Sequence, residues 1–245
     1  MSAFLRKSYK LYRIIFIRSF RKALFRGVAA AIEHAAILTF LNRNNCKLIV
    51  DIGANTGQFS LAAREFVPGS RVIAFEPLDK PAKKYDIVFS SDRLVTLHRC
   101  AIGKSNESKE MHVSKRDDSS SLLPITDMQN NLFPGTGKSH VEKVDVRTLS
   151  SFVSSADVAG YSMLKIDVQG FELDVLKGCD GLLQKFSAIY IECSFVELYK
   201  GQALAYEIIT FMRKYNFNLG GVYNASYDVD GNAIQADFLF LPERT

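Results

Sequence analysis

Val50-Asp51-Ile52-Gly53-Ala54-Asn55-Thr56-Gly57 continues an apolar run that begins at Lys47 and leads into the helix-like stretch Gln58 to Phe66. Arg71 to Phe75, after Pro68 and Gly69, then reads as a second strand, which makes a strand, helix, strand unit of the parallel type. Gly53 lets the backbone turn close to a ligand, Asn55 tolerates positive φ, and Gly57 keeps the helix start free of side chains. A loop of small residues, Ala54 among them, running into a helix N-terminus offers free backbone amides. The pattern is DxGxxxG rather than GxGxxG, and Asp51 at its head repels a pyrophosphate but suits a sulfonium-bearing cofactor. Glu76 follows Gly57 by 19 residues at the end of the second strand, where an acid accepts hydrogen bonds from ribose hydroxyls.

Outward from this unit the alternation continues. Lys80 to Phe89 reads as helix, Leu94 to Cys100 as extended, Leu149 to Ala156 as helix and Met163 to Asp167 as extended. Glu172 to Lys177 is helical, Ala188 to Glu192 extended and Ala203 to Tyr215 helical. This is the pattern of a doubly wound, mostly parallel α/β sheet. Phe217 to Tyr223 and Asp237 to Leu241, joined by a turn at Asp228 to Asn232, predict an antiparallel C-terminal edge. Ser114 to Lys143, with its Ser, Pro, Asn and Gly content, reads as one long loop of the lid or binding kind.

Asp167 and Glu192 end successive strands at the edge that lines the ligand crevice of such sheets. Two acids there can share a proton, bind a metal or hold a polar substrate. They are only two ligands with no His at a matching strand end, so no metal is expected. Glu172 reads as a cap of its helix, and the four histidines, His34, His98, His112 and His140, read as structural or surface residues.

At 245 residues, with 47% apolar and 23% charged, the chain has the make-up of a folded globular protein. Four scattered cysteines with no CxxC pair point away from a disulfide scaffold or a structural zinc site. The net charge of +5 is uneven: residues 1–47 hold ten Lys or Arg against the single acid Glu33, while the rest holds 21 bases and 25 acids. An acidic body argues against a nucleic-acid partner.

Residues 1–45 are expected to form a helical extension and residues 46–245 the main domain. Leu5, Tyr9, Tyr12, Phe16, Phe20 and Ala23 share one helical face, with Arg6, Lys10, Arg13, Arg21 and Lys22 mostly on the other. That basic amphipathic helix predicts packing on the body as a lid or as a dimer arm in a homo-oligomer, with peripheral attachment to an anionic membrane surface as the alternative. Val28 to Leu41 reads as a second helix, stopped at Asn44 and Asn45. Charges interrupt every apolar stretch before Asn42, which excludes a spanning helix or signal core there and predicts a cytoplasmic protein, peripheral at the inner membrane face on the second reading.

Six ordered blocks resemble the motifs of FkbM-type methyltransferases: Val50 to Gly57, Phe75-Glu76-Pro77, Ala101-Ile102-Gly103, Val146-Arg147-Thr148-Leu149, Leu164 to Glu172 with Val175 to Gly178, and Tyr190-Ile191-Glu192. Phe195 to Gln202 and Gln235 to Phe240 extend the likeness, which covers about residues 46–241. The resemblance implies a Rossmann-like class I methyltransferase fold, S-adenosyl-L-methionine as cofactor, and O-methylation of a hydroxyl on a sugar, glycan or secondary metabolite. Asp51, Gly53, Ala54, Asn55, Gly57 and Glu76 would then hold the cofactor, with its adenine near Ala101 and Ile102. Asp167 would serve as general base, with Glu192 as acceptor ligand or alternate base. Ser119 to Ser121 are weaker candidates for substrate or cofactor contact. Gln169 stands where the family commonly has Glu, so no role that needs a negative charge there is carried over. The rival readings are a nucleotide-binding oxidoreductase, a nucleic-acid methyltransferase and a non-catalytic interaction module.

Overall fold

The computed structural model describes residues 16–116, 118–179 and 181–243. β1 (Leu48–Ile52) is buried along its whole length, as expected of an apolar run covered on both faces. The chain reaches it through α1 (Arg18–Phe25), a 3₁₀ turn at Ile32–His34 and α2 (Ala35–Arg43). Asn45 then takes φ 56°, the left-handed conformation that ends the extension. After β1 come α3 (Gln58–Phe66), β2 (Arg71–Phe75), α4 (Asp79–Phe89) and β3 (Val95–His98). β4 (Ala101–Ile102), β5 (Glu107–Ser114), α5 (Asp127–Leu132) and β6 (Lys138–Arg147) follow. The second half runs β7 (Ser162–Ile166), α6 (Glu172–Gly178), β8 (Ala188–Ser194), α7 (Ala205–Lys214), β9 (Phe217–Tyr227) and β10 (Ala233–Pro242).

Seven strands form the main sheet in the order β3-β2-β1-β7-β8-β10-β9. The first five are parallel, and β10 pairs antiparallel with both β8 and β9, as the turn-linked C-terminal strands predict. The winding reverses between β1 and β7, which opens a crevice at the carboxyl ends of those strands. One face of the sheet is covered by α1 to α4, where Phe20, Leu38, Leu41, Phe59, Ala62 and Tyr85 pack on Ile49, Ala74, Met163 and Tyr190. The other carries α6 and α7, with Leu176, Ile208 and Met212 against Val50, Ile52, Phe75 and Ile166.

Three expectations change. Leu149 to Ala156 is a single 3₁₀ turn, Leu149–Ser151, rather than a helix. Val28 to Leu41 is not one helix, because residues 28–31 run irregularly before the 3₁₀ turn. The long loop is shorter than its composition implies: β4, β6 and β5 make a separate three-stranded sheet, with Lys138 to Lys143 paired to Glu110 through Ser114. The side chains of Lys138 to Lys143 are all exposed, so the sequence carries no alternation to mark the strand.

The N-terminal helix packs on the body. Phe20 is fully buried with its ring 6.4 Å from that of Phe66, and Ser19 Oγ donates to Glu65 Oε2 at 2.6 Å. Val28, Ala30, Ile37, Leu38 and Leu41 share a core with strand residues from beyond position 46, so packing is continuous across that boundary. Leu5, Arg6, Tyr9, Lys10, Tyr12 and Arg13 lie outside the described residues.

Candidate active site

The β1 to α3 loop forms the floor of a cavity of about 290 Å³ at the switch point. Gly53 has φ +81°, and a Cβ there would stand 1.8 Å from the backbone oxygen of Asp167. Only glycine lets the loop lie this close to the end of β7, which brings Asp167 beside the loop. Asn55 takes φ 48°, and its N–H donates to Glu76 Oε2 at 3.0 Å. Leu78 N–H donates to Glu76 Oε1 at 2.8 Å. Each Glu76 oxygen keeps a lone pair for a further donor. Burial pushes the Glu76 carboxyl up to about 7, against the two backbone amides that favour its charge.

Gly53, Ala54, Asn55, Glu76, Ala101 and Ile102 line the cavity, as do Asp167 and Glu192. Two of the residues expected to hold a cofactor, Asp51 and Gly57, do not line the cavity. Asp51 is fully buried below the loop, where its Oδ2 accepts from Ser60 Oγ at 2.7 Å. Its negative charge faces Lys165, so it offers the cavity no carboxylate. Gly57 also stays off the wall: with φ +91°, a Cβ there would run into the rings of Phe89 and Tyr85, so its glycine serves packing.

Lys165 was not singled out from sequence, although a lysine between Leu164 and Ile166 in a buried strand is the available signal. Its Nζ stands 3.2 Å from Asp51 Oδ1, an ion pair without hydrogen-bond alignment, and 3.5 Å from Asp167 Oδ2. It also lies 5.2 Å from the centre of the Phe59 ring. Burial alone would lower its pKa, but Asp51 and Asp167 carry it above the ordinary lysine value.

Gln169 joins the two candidate catalytic acids. Its Nε2 donates to Asp167 Oδ1 and to Glu192 Oε2, both at 2.9 Å, while its Oε1 accepts from Tyr199 Oη at 2.7 Å. The backbone at Gln169 has φ 56°, an uncommon conformation for a non-glycine residue and one that clusters at functional sites. Ser121 Oγ donates to its carbonyl at 2.6 Å, and Glu172 Oε1 accepts from the amides of Val168 and Gly170 at 3.2 and 3.0 Å. Glu172 thus braces this loop. Of Ser119 to Ser121, only Ser120 lines the cavity; Ser119 presents its carbonyl to Tyr199 Oη.

Glu192 Oε1 accepts from Gln235 Nε2 at 2.8 Å. Burial, then the charges of Asp167, Asp237 and Glu172, raises Glu192 well above the ordinary carboxyl value. Among the described residues, no group of three or more His, Cys, Asp or Glu is placed to hold a metal ion. The cavity wall suits a nucleoside: the Glu76 carboxylate can take a ribose diol, and Leu78, Ile102, Met111 and Leu122 make an apolar slot for a base.

A family model described as the methyltransferase FkbM domain matches residues 51–219. "Methyltransferase 1" of Beauveria bassiana (strain ARSEF 2860) is 27% identical over 144 residues, which cover 54% of this chain and 58% of that relative. The match therefore spans little more than half of the relative's length. "2-O-methyltransferase NoeI" of Sinorhizobium fredii (strain NBRC 101917 / NGR234) is 25% identical over 76% of this chain and 79% of its own length. Among solved structures, the precorrin-6y C5,15-methyltransferase from Geobacter metallireducens GS-15 aligns with a TM-score of 0.48 and 11% identity, covering 86% of this chain and 88% of that one.

Proposed function

The chain belongs to the FkbM methyltransferase family, and from that premise we propose that it uses S-adenosyl-L-methionine to methylate a hydroxyl of a sugar-like acceptor, with Asp167 as general base. When bound, the cofactor supplies an electrophilic methyl group on a sulfonium. Glu76 would take the ribose hydroxyls, the Gly53 to Asn55 loop the methionine part, and the slot between Ala101, Ile102 and Leu78 the adenine.

The observation that carries this reading is the position of Asp167. Its side chain is 34% exposed at the cavity beside the Gly53 loop, and Lys165 and Gln169 hold its two oxygens in place. A hydroxyl is a poor nucleophile at neutral pH, so a fixed carboxylate that takes its proton lowers the barrier. Glu192, whose two oxygens already accept from Gln169 and Gln235, is suited to holding an acceptor hydroxyl rather than to removing its proton. The relative named a 2-O-methyltransferase supports oxygen as the atom methylated.

Calorimetry with S-adenosylhomocysteine, followed by transfer of labelled methyl from the cofactor to a panel of methyl glycosides, tests the proposal. Binding together with a mass gain of one methylene on a glycoside supports it; no binding overturns it.

We also infer that the outer side of α1 meets an anionic membrane surface. Phe25 is 92% exposed and Leu24 45%, flanked by the exposed Arg18, Arg21, Lys22 and Arg26, which is the mixture that holds a helix at a lipid interface. Sedimentation with anionic vesicles that is lost at high salt supports this; no sedimentation at low salt overturns it.

A further inference from the structure

One end of the cavity is built by segments on either side of the stretch that the family model matches. His34 comes from the 3₁₀ turn before α2, Asn224 from β9, and Asp237 from β10. All three line the cavity, and Tyr190 of β8 joins them through hydrogen bonds. Asp237 Oδ2 accepts from Asn224 Nδ2 at 2.8 Å and from Tyr190 Oη at 3.1 Å. His34 Nδ1 lies 3.6 Å from the same oxygen, 3.2 Å from Tyr190 Oη and 3.2 Å from Asn224 Nδ2. The imidazole is held edge-on between the rings of Phe59 and Tyr190, with centroids 5.2 and 5.7 Å away.

The cluster sits beside the proposed reaction centre. Asp237 is directly opposite Glu192 in the antiparallel register, so both side chains leave the same face of the sheet. His34 and Asp237 each also interact electrostatically with Asp167. An apolar wall would be cheaper to bury than an imidazole, an amide and a carboxylate. Their chemistry also selects among ligands. An anion would be repelled by Asp237, Glu192 and Asp167, and an apolar group would leave their polar atoms unanswered. A cation would compete with the Asn224 amide and the Tyr190 hydroxyl that already donate to Asp237. A hydroxyl, which both donates and accepts, matches the set.

We propose that His34, Asn224 and Asp237 form a subsite for a second hydroxyl of the acceptor, next to the one that Asp167 deprotonates, and so select polyols with neighbouring hydroxyls. The subsite rests on the hydroxyl-methylation reading above. It gives the N-terminal extension a place in substrate selection, since His34, Asn224 and Asp237 all lie outside the residues that the family model matches.

The test uses full-length protein loaded with S-adenosylhomocysteine, together with His34→Gln and Asn224→Ala. Nitrogen-15 spectra of labelled histidine should show the His34 ring signals moving when methyl glycosides with vicinal diols are added, and staying still with the matching deoxy glycosides. Both variants should bind S-adenosylhomocysteine within about twofold of the parent, yet raise KM for the diol glycosides about tenfold with kcat little changed. For deoxy glycosides the variants and parent should not differ. Methylation of glycosides with unchanged KM in both variants overturns the subsite, as does a penalty that persists with the deoxy compounds. Should the protein methylate no glycoside while His34 still reports diol binding, the hydroxyl-methylation reading falls and the proposal is overturned as to methylation, leaving a diol-binding site alone. Silence in both measurements removes both.

Discussion

Lys165 Nζ stands 3.2 Å from Asp51 Oδ1, and the two residues are register partners on adjacent central strands. Asp51 is fully buried and Lys165 5% exposed, so each charge depends on the other. Lys165→Met strands the Asp51 carboxylate and is expected to cost about 3 to 5 kcal/mol in urea unfolding. Adding Asp51→Asn to Lys165→Met should restore a large part of that loss, because the buried charge goes with it. A double variant no more stable than the single one would show that the ion pair is not the source of the cost.

Glu76 makes cofactor affinity depend on pH. Its carboxyl, raised by burial to about 7, binds ribose hydroxyls better when charged, so S-adenosylhomocysteine should bind more tightly as pH rises from about 6 to about 8. Glu76→Gln should flatten that rise and weaken binding at about pH 8 by about 1 to 3 kcal/mol. The unliganded protein has the opposite slope. A carboxyl whose folded pKa lies above its ordinary 4.5 adds stability that is full below that value and lost as pH passes about 7. Unfolding curves of Glu76→Gln should lack this loss.

Asp167→Asn nearly preserves shape and should leave S-adenosylhomocysteine affinity unchanged while cutting turnover by about 100-fold to 10,000-fold. Near-parental activity would assign the proton to water or another residue. Lost cofactor binding would make Asp167 a cofactor ligand.

Phe20 is fully buried against Phe66, so Phe20→Ala should cost about 3 to 5 kcal/mol and lower Tm by about 10 °C. Deleting residues 1–26 removes the same contact. The shortened chain is expected to unfold at lower temperature yet still bind S-adenosylhomocysteine, since every described residue lining the cavity lies beyond position 26. Calorimetric scanning checks both, and an unshifted Tm for Phe20→Ala would mean that α1 does not stabilise the body.

Elements whose signals are local are legible in the amino-acid order. Gln58–Phe66 and Arg71–Phe75 have the bounds that periodicity predicts, and β1 lies one residue from its expected start. Apolar run length, glycine at a turn and an acid at a strand end are properties of a few adjacent residues, so Gly53, Glu76, Asp167 and Glu192 could be placed at one sheet edge. Tertiary structure alone decided what those residues touch. Asp51 and Gly57 carry the same motif signal as Gly53, yet strand register and helix packing turn them away from the cavity. The first six residues of β6 are all exposed, so the strand's pairing with β5 leaves no periodic trace there. The meeting of His34 with Asp237 joins the two ends of the chain, and of Gln169 with Glu192 two separate strand ends. A contact of that kind depends on where the whole sheet places each backbone, and no local pattern of residues encodes it.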